Sequence, residues 1–196
     1  MKEDILIYII IIFIVVIVCK IYYDSDSFKL KCIISSVDGN KYCVRDRSKL
    51  NDAADHLAKV TTNLKLVVED CKKNFPEQKN VKNLVEGFNP KKIVEVLPTS
   101  KYTAYSENKG EKLAFCLETE KNGGELIDLN TLTFVALHEL AHIANDTIGH
   151  DDKFWNNFKF LLERAKKIGV YTPIDYKKKP KQYCGMTIHD NPLFDL

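Results

Sequence analysis

The sequence predicts an α+β domain, in which a histidine-bearing helix packs on a short β-sheet, behind one N-terminal transmembrane helix. Three observations predict it. Residues 5–23, ILIYIIIIFIVVIVCKIYY, are apolar throughout except for Lys20, so a helix there has no wet face. Farther on, segments with apolar residues at three- and four-residue steps frame a few short strand-like runs. Residues 131–155, TLTFVALHELAHIANDTIGHDDKFW, then set three histidines and a glutamate on and just after one such segment. The chain divides accordingly into a tail and anchor over 1–23, a hairpin or juxtamembrane segment over 24–47, and a globular domain over 48–196.

The 19 residues of 5–23, at about 1.5 Å each, nearly match a hydrocarbon core of about 30 Å. Lys20 can snorkel, and Tyr22 and Tyr23 suit the interface. A cleaved signal peptide would open on a basic stretch and close on small residues, whereas this chain opens with MKED. Lys20, Lys29 and Lys31 follow the run and only Lys2 precedes it, which puts the domain of a single-pass membrane protein on the cytosolic side, with the bilayer as a partner through residues 5–23.

Next, FKLKCIISS (28–36) and KYCVRDR (41–47) flank Asp38-Gly39, a turn signal that predicts a hairpin across which Cys32 and Cys43 could pair. Ser48 is placed to cap a long helix whose stripe is Leu50, Ala54, Leu57, Thr61, Leu64, Val67 or Val68, and Cys71, ending near Phe75-Pro76. A shorter helix over 81–87 buries Val81, Leu84 and Val85 before Asn89-Pro90 breaks it. Strands follow over 92–97, 102–106 and 112–118, the last two joined by a turn at Glu107-Asn108-Lys109-Gly110.

Asp128 or Asn130 can cap the next helix, whose apolar positions include Leu132, Val135, Leu140, Ile143 and Ala144. Gly149 is its expected stop. The helix over 152–168 carries the stripe Phe154, Trp155, Phe158, Leu161, Leu162 and Ala165, and leaves Glu163 on the wet face with Asp152, Asn156, Lys159 and Lys166. Residues 171–181, with two prolines and four lysines, read as a solvated loop, and Cys184-Gly185-Met186 reads as a turn.

The motif at 138–142 carries the chemistry. In H-E-x-x-H the two imidazoles of His138 and His142 stand one helical turn apart on one face and can share a single metal ion. Glu139 then reaches a water on that ion and can take its proton as a carbonyl is attacked, which is the chemistry of peptide hydrolysis. His150, just past Gly149, approaches from a direction the helix cannot supply. Glu163, Asp146 and His189 compete for the third ligand position: Glu163 has the offset of a next-helix ligand but the wrong face, three ligands up one helix cannot surround a tetrahedral ion, and His189 requires the tail to fold back. Tyr183 or Tyr176 could donate to the oxyanion.

Composition narrows the alternatives. Lysine and arginine number 29 against 27 acidic residues, a net charge of +2, which gives no argument for nucleic acid as a partner. Only Arg45, Arg47 and Arg164 are arginine. Cys19 lies in the apolar run, which leaves five cysteines beyond it, an odd count that suits free thiols better than a closed disulfide framework. Asn145-Asp146-Thr147 is a glycosylation sequon beside the motif, where a glycan would obstruct substrate.

HELAHIANDTIGHDDKFW resembles the zincin domains of WLM and SprT-like metalloproteases, in which a helical HExxH is followed by a turn, a third histidine and an aromatic-rich helix. From about Val37 onward the chain also resembles small membrane-anchored proteins of this kind encoded by large DNA viruses. The resemblance implies a zincin-like metalloprotease domain holding one zinc ion per chain, with His138, His142 and His150 as metal ligands, Glu139 as general base and a peptide or protein as substrate. In a virus the domain would face the cytosol or the virion interior. By the same analogy the strand over 112–118 forms a lip of the cleft where an extended peptide pairs by backbone hydrogen bonds, and Cys-Gly-Met faintly resembles the methionine turn of metzincins. The second expectation is a catalytically silent member of the fold, serving as a membrane-tethered binding module or virion structural protein.

Overall fold

The computed structural model describes residues 2–24 and 30–195. Helix α1 spans Lys2–Asp24. A hairpin of β1 (Leu30–Ile34) and β2 (Lys41–Arg45) leads into α2 (Leu50–Asn74) and α3 (Lys79–Gly87). Short strands β3 (Ile93–Glu95), β4 (Ala104–Glu107), β5 (Lys112–Phe115), β6 (Glu118–Glu120) and β7 (Gly123–Leu126) precede α4 (Leu129–Ala144) and α5 (Asp152–Lys167). The chain closes with a hairpin of β8 (Lys181–Tyr183) and β9 (Met186–Ile188) and a single turn, α6 (Pro192–Asp195).

The transmembrane helix expected over residues 5–23 is overturned. Among the described residues no helix is long and apolar enough to cross a membrane. The single-pass membrane placement and the bilayer partner are corrected with it. The side chains of Tyr22 and Tyr23, and residues 28–29 of the expected first strand, lie outside what is described.

The main sheet has the order β1-β2-β3-β5-β4. Hairpin partners β1–β2 and β4–β5 are antiparallel, while β3 runs parallel to both β2 and β5. This order makes β5 an interior strand and β4 the edge. The lip expected at 112–118 therefore belongs instead to Ala104–Glu107, because β5 already has a partner on each side.

Helix α2 buries Ala54, Leu57, Thr61, Leu64, Val67 and Cys71, the stripe its periodicity predicts. It starts without Ser48 as its cap: Lys49 occupies that position and no side chain caps the helix. α2 packs on the sheet and on α4, which is also flanked by α3, α5 and β4. Surrounded in this way, α4 buries twelve of its sixteen residues. Beyond its first turn the exceptions are His138 and His142. Asp128 caps it, accepting from the Thr131 backbone N–H at 2.8 Å and from its hydroxyl at 2.8 Å; the helix ends at Ala144, before Gly149.

Cysteine pairing departs from the odd-count argument. Cys32–Cys43 staples β1 to β2, and Cys116–Cys184 staples the end of β5 to the C-terminal hairpin. The fifth cysteine, Cys71, is a buried thiol on the core face of α2, so an odd number beyond residue 23 still closes two bridges. The three arginines all enter internal ion pairs. Arg45 and Arg47 meet Glu95 and Glu118, tying β2 and the turn after it to β3 and β6. Arg164 pairs with Asp70 at 2.6 Å and lies over the Phe75 ring.

The end of α3 packs backbone against backbone on the β4–β5 turn. A Cβ at Gly87 would stand 2.5 Å from the Lys109 carbonyl oxygen and 2.6 Å from Ile143. Gly87→Ala should therefore destabilise the fold by about 1–3 kcal/mol, the usual cost of overpacking. A lowered urea midpoint at unchanged m value checks this; an unchanged midpoint contradicts so close a contact.

Candidate metal centre

Burial of α4 against four elements leaves one strip of it open, and His138 and His142 occupy that strip. Their rings stand 5.0 Å apart, centroid to centroid. The third histidine arrives from the loop between α4 and α5. Gly149, at φ +98°, turns the chain, and the His150 ring comes within 5.0 Å of His138 and 4.8 Å of His142. Each ring offers one nitrogen, and the three lie within 4.8 Å of one another. The Nε2 atoms of His138 and His150 are 3.0 Å apart. Phe154, buried on α5, packs beneath all three rings at 4.4–4.8 Å.

The other candidates for the third position stand elsewhere. Glu163 is exposed on the outer face of α5. Asp146 turns away to Asn83 at 2.9 Å and Lys79 at 2.8 Å. His189 does fold back and lines the cleft, yet it is not part of the cluster. Asn145 of the sequon is buried, and its amide is held by Thr147 and Asp151, so it offers no glycan acceptor in the folded chain.

Electrostatics follow from burial. Desolvation pushes His138 down to about 3 and His142 to about 4, each helped by a neighbouring imidazole. Both rings are thus neutral at physiological pH, the form that binds a metal. Desolvation pushes the Glu139 carboxyl up to about 8. The Ser106 backbone N–H on β4 donates to it and opposes that rise by favouring the carboxylate.

These groups line a cleft of about 1450 Å³. One wall is β4 with the residues before it, the floor is α4, and the far side is the loop carrying His150 together with residues 186–190. Between the two tyrosines considered for the oxyanion, Tyr183 lines this cleft, and its hydroxyl donates to the Thr103 carbonyl at 3.1 Å. Tyr176 is buried against Phe134 instead. Met186 is half exposed at the mouth rather than beneath the histidines, which removes the likeness to a methionine turn.

The profile of the WLM domain matches residues 48–192. The chain belongs to the WLM domain family. At this coarse level it joins a family of zincin-like metalloproteases. Among similar proteins, the uncharacterized protein R325 of Acanthamoeba polyphaga mimivirus is 29% identical over 185 residues, spanning 91% of this chain and 93% of its own length. The uncharacterized protein 136R of invertebrate iridescent virus 6 is 38% identical over 82 residues, 41% of this chain and 44% of the relative. Among solved structures, Wss1 from Saccharomyces cerevisiae is similar with a TM-score of 0.48 at 20% identity, covering 64% of this chain and 87% of that one. The WLM match spans the elements that build the cleft, from α2 to the C-terminal hairpin.

Two features of this WLM site carried no signal in the sequence motif. The edge role of β4 depends on strand order, and the wall at 186–190 depends on the Cys116–Cys184 bridge.

The pKa shifts set a pH dependence for the metal-free chain. Below about pH 6.5 the unfolded chain takes up protons on His138 and His142 that the folded chain refuses, so stability fades as pH falls toward 4. Glu139 acts oppositely: folded, it keeps a proton that the unfolded chain releases above about pH 4.5, so its contribution fades as pH rises toward 8. Between 4.5 and 6.5 two imidazoles outweigh one carboxyl. In chelator, the Tm should be lower at pH 5 than at pH 6.5, and the difference should shrink in His138→Leu/His142→Leu. An equal pH response in that variant contradicts the assignment.

Proposed function

We propose that the chain is a zinc-dependent peptidase in which His138, His142 and His150 hold one zinc ion and Glu139 is the general base. The observation that carries this reading is the convergence of three imidazole nitrogens within 4.8 Å of one another in a cleft shared with a buried carboxyl. The donor set suits zinc. Neutral imidazoles are borderline-soft nitrogen donors, and two of them about 2.0–2.1 Å from a tetrahedral ion stand roughly 3.3 Å apart, close to the 3.0 Å between His138 and His150 Nε2. Three protein ligands also leave a fourth position open, as catalytic zinc requires.

When bound, zinc supplies Lewis acidity that brings the pKa of water toward neutrality. Glu139 takes the proton of the attacking water and later returns it to the leaving amine. Its surroundings support both halves. The Ser106 N–H favours the carboxylate that accepts the proton, and burial favours the carboxyl that gives it back. Among the described residues strand β4 has a partner only on the β5 side, and its open side flanks the cleft. An extended peptide adding there gains backbone hydrogen bonds without a deep side-chain pocket.

Denatured casein is the first substrate to test. Glu139→Gln should lower its cleavage by at least about 100-fold, the scale of a lost general base, while the protein keeps its zinc. Equal cleavage by wild type and variant removes Glu139 as the general base, and no cleavage by either favours a silent binding module. In parallel, His150→Ala should bind metal more weakly and Glu163→Ala should bind it as wild type does. The reverse pattern reassigns the third ligand to α5.

A further inference from the structure

His150 reaches the site on a seven-residue connection, 145–151, between α4 and α5. That connection is braced from outside by the turn between β4 and β5. Within that turn Asn108 and Lys109 both adopt left-handed backbone conformations, φ +46° and φ +55°, followed by Gly110 at φ +107°. Left-handed backbone at a residue other than glycine is uncommon and persists where the surroundings impose it. Here Gly87 and Ile143 press on the turn from behind: a Cβ at Gly87 would meet the Lys109 carbonyl oxygen, and one at Gly110 would meet the backbone of Gly87.

Held in that conformation, Lys109 projects its ammonium at the C-terminus of α4. Its Nζ donates to the carbonyls of Asn145 at 2.7 Å, Asp146 at 3.0 Å and Thr147 at 3.3 Å. An ammonium has three donors, and each has one of these oxygens. These carbonyls belong to the first residues of the His150 loop, just past the C-terminus of α4, so one cation sits near the negative end of the helix dipole and fixes the loop's departure. Thr147 passes the restraint on through Asp151, whose carboxylate accepts from its hydroxyl at 2.5 Å and caps α5 at the Phe154 N–H. His150 sits between those two anchored residues.

We propose that Lys109 is a positioning residue for the third metal ligand: by clamping three successive carbonyls of the loop just after α4, it holds His150 within reach of His138 and His142. The inference rests on the histidine triad binding zinc. Removing a group that orients a ligand costs about 10–100-fold in metal affinity. Because Lys109 acts through His150, its loss should cost almost nothing once His150 is gone.

The test is a zinc-affinity cycle by chelator competition on the full chain: wild type, Lys109→Met, His150→Ala and the double variant, with Lys109→Arg as the donor-retaining control. Lys109→Met should weaken zinc about 10–100-fold and reduce the visible absorption of the cobalt-substituted protein, Lys109→Arg should recover part of both, and the double variant should match His150→Ala. Lys109→Met binding zinc as tightly as wild type, or an equal loss in the His150→Ala background, overturns the positioning role and leaves the peptidase reading standing. A wild-type chain that takes up no zinc overturns both. Should Lys109→Met not fold, Lys109→Gln enters the same cycle and its coupling to His150→Ala decides.

Discussion

Close packing of α4 on four sides is the constraint from which the rest of the structure follows. A helix buried against α2, α3, α5 and β4 can show solvent only one narrow strip, and whatever polar groups lie on that strip face the same opening. His138 and His142 lie there, one turn apart. The same burial strips water from both rings and from Glu139, pushing the imidazoles down and the carboxyl up. Packing thus sets the protonation states as well as the geometry.

The remaining parts are delivered to that strip by chain segments far apart in sequence. β4 brings a backbone N–H to Glu139 and forms one wall of the cleft. The loop after α4 brings His150, held at its root by the Lys109 ammonium. The C-terminal hairpin closes the far side, tied in by Cys116–Cys184, by the Tyr183 hydroxyl on Thr103, and by the N–H groups of Cys184 and Gly185 on Glu118 and Thr119. The C-terminal wall is thus tied to the segments on either side of β4 and β5.

Much of this was legible in the chain because it is local. The period of VALHELAHIA put both imidazoles on one face, the turn at 107–110 and the stripe of α2 followed from short-range patterns, and the wet face of α5 argued against Glu163. What escaped was non-local. Strand order made β4 rather than β5 the edge, and no local pattern in KLAFCLE distinguishes an interior strand from a lip. The count of cysteines missed that Cys71 is a core residue, which frees the other four to pair. The apolar run at the N-terminus misled in a different way. Composition alone argued for a span, whereas the described helix does not meet the length and apolarity that crossing a membrane demands. Gly149 shows a subtler limit: it is the expected stop and does take a left-handed conformation, but it turns the chain toward His150 five residues after the helix has ended.

Zinc K-edge X-ray absorption on the purified chain tests the central claim most directly. The proposed function predicts about one zinc per chain, with three imidazole nitrogens at about 2.0–2.1 Å and one further light-atom ligand. A metal-free protein, or a shell in which a carboxylate replaces one imidazole, would contradict it.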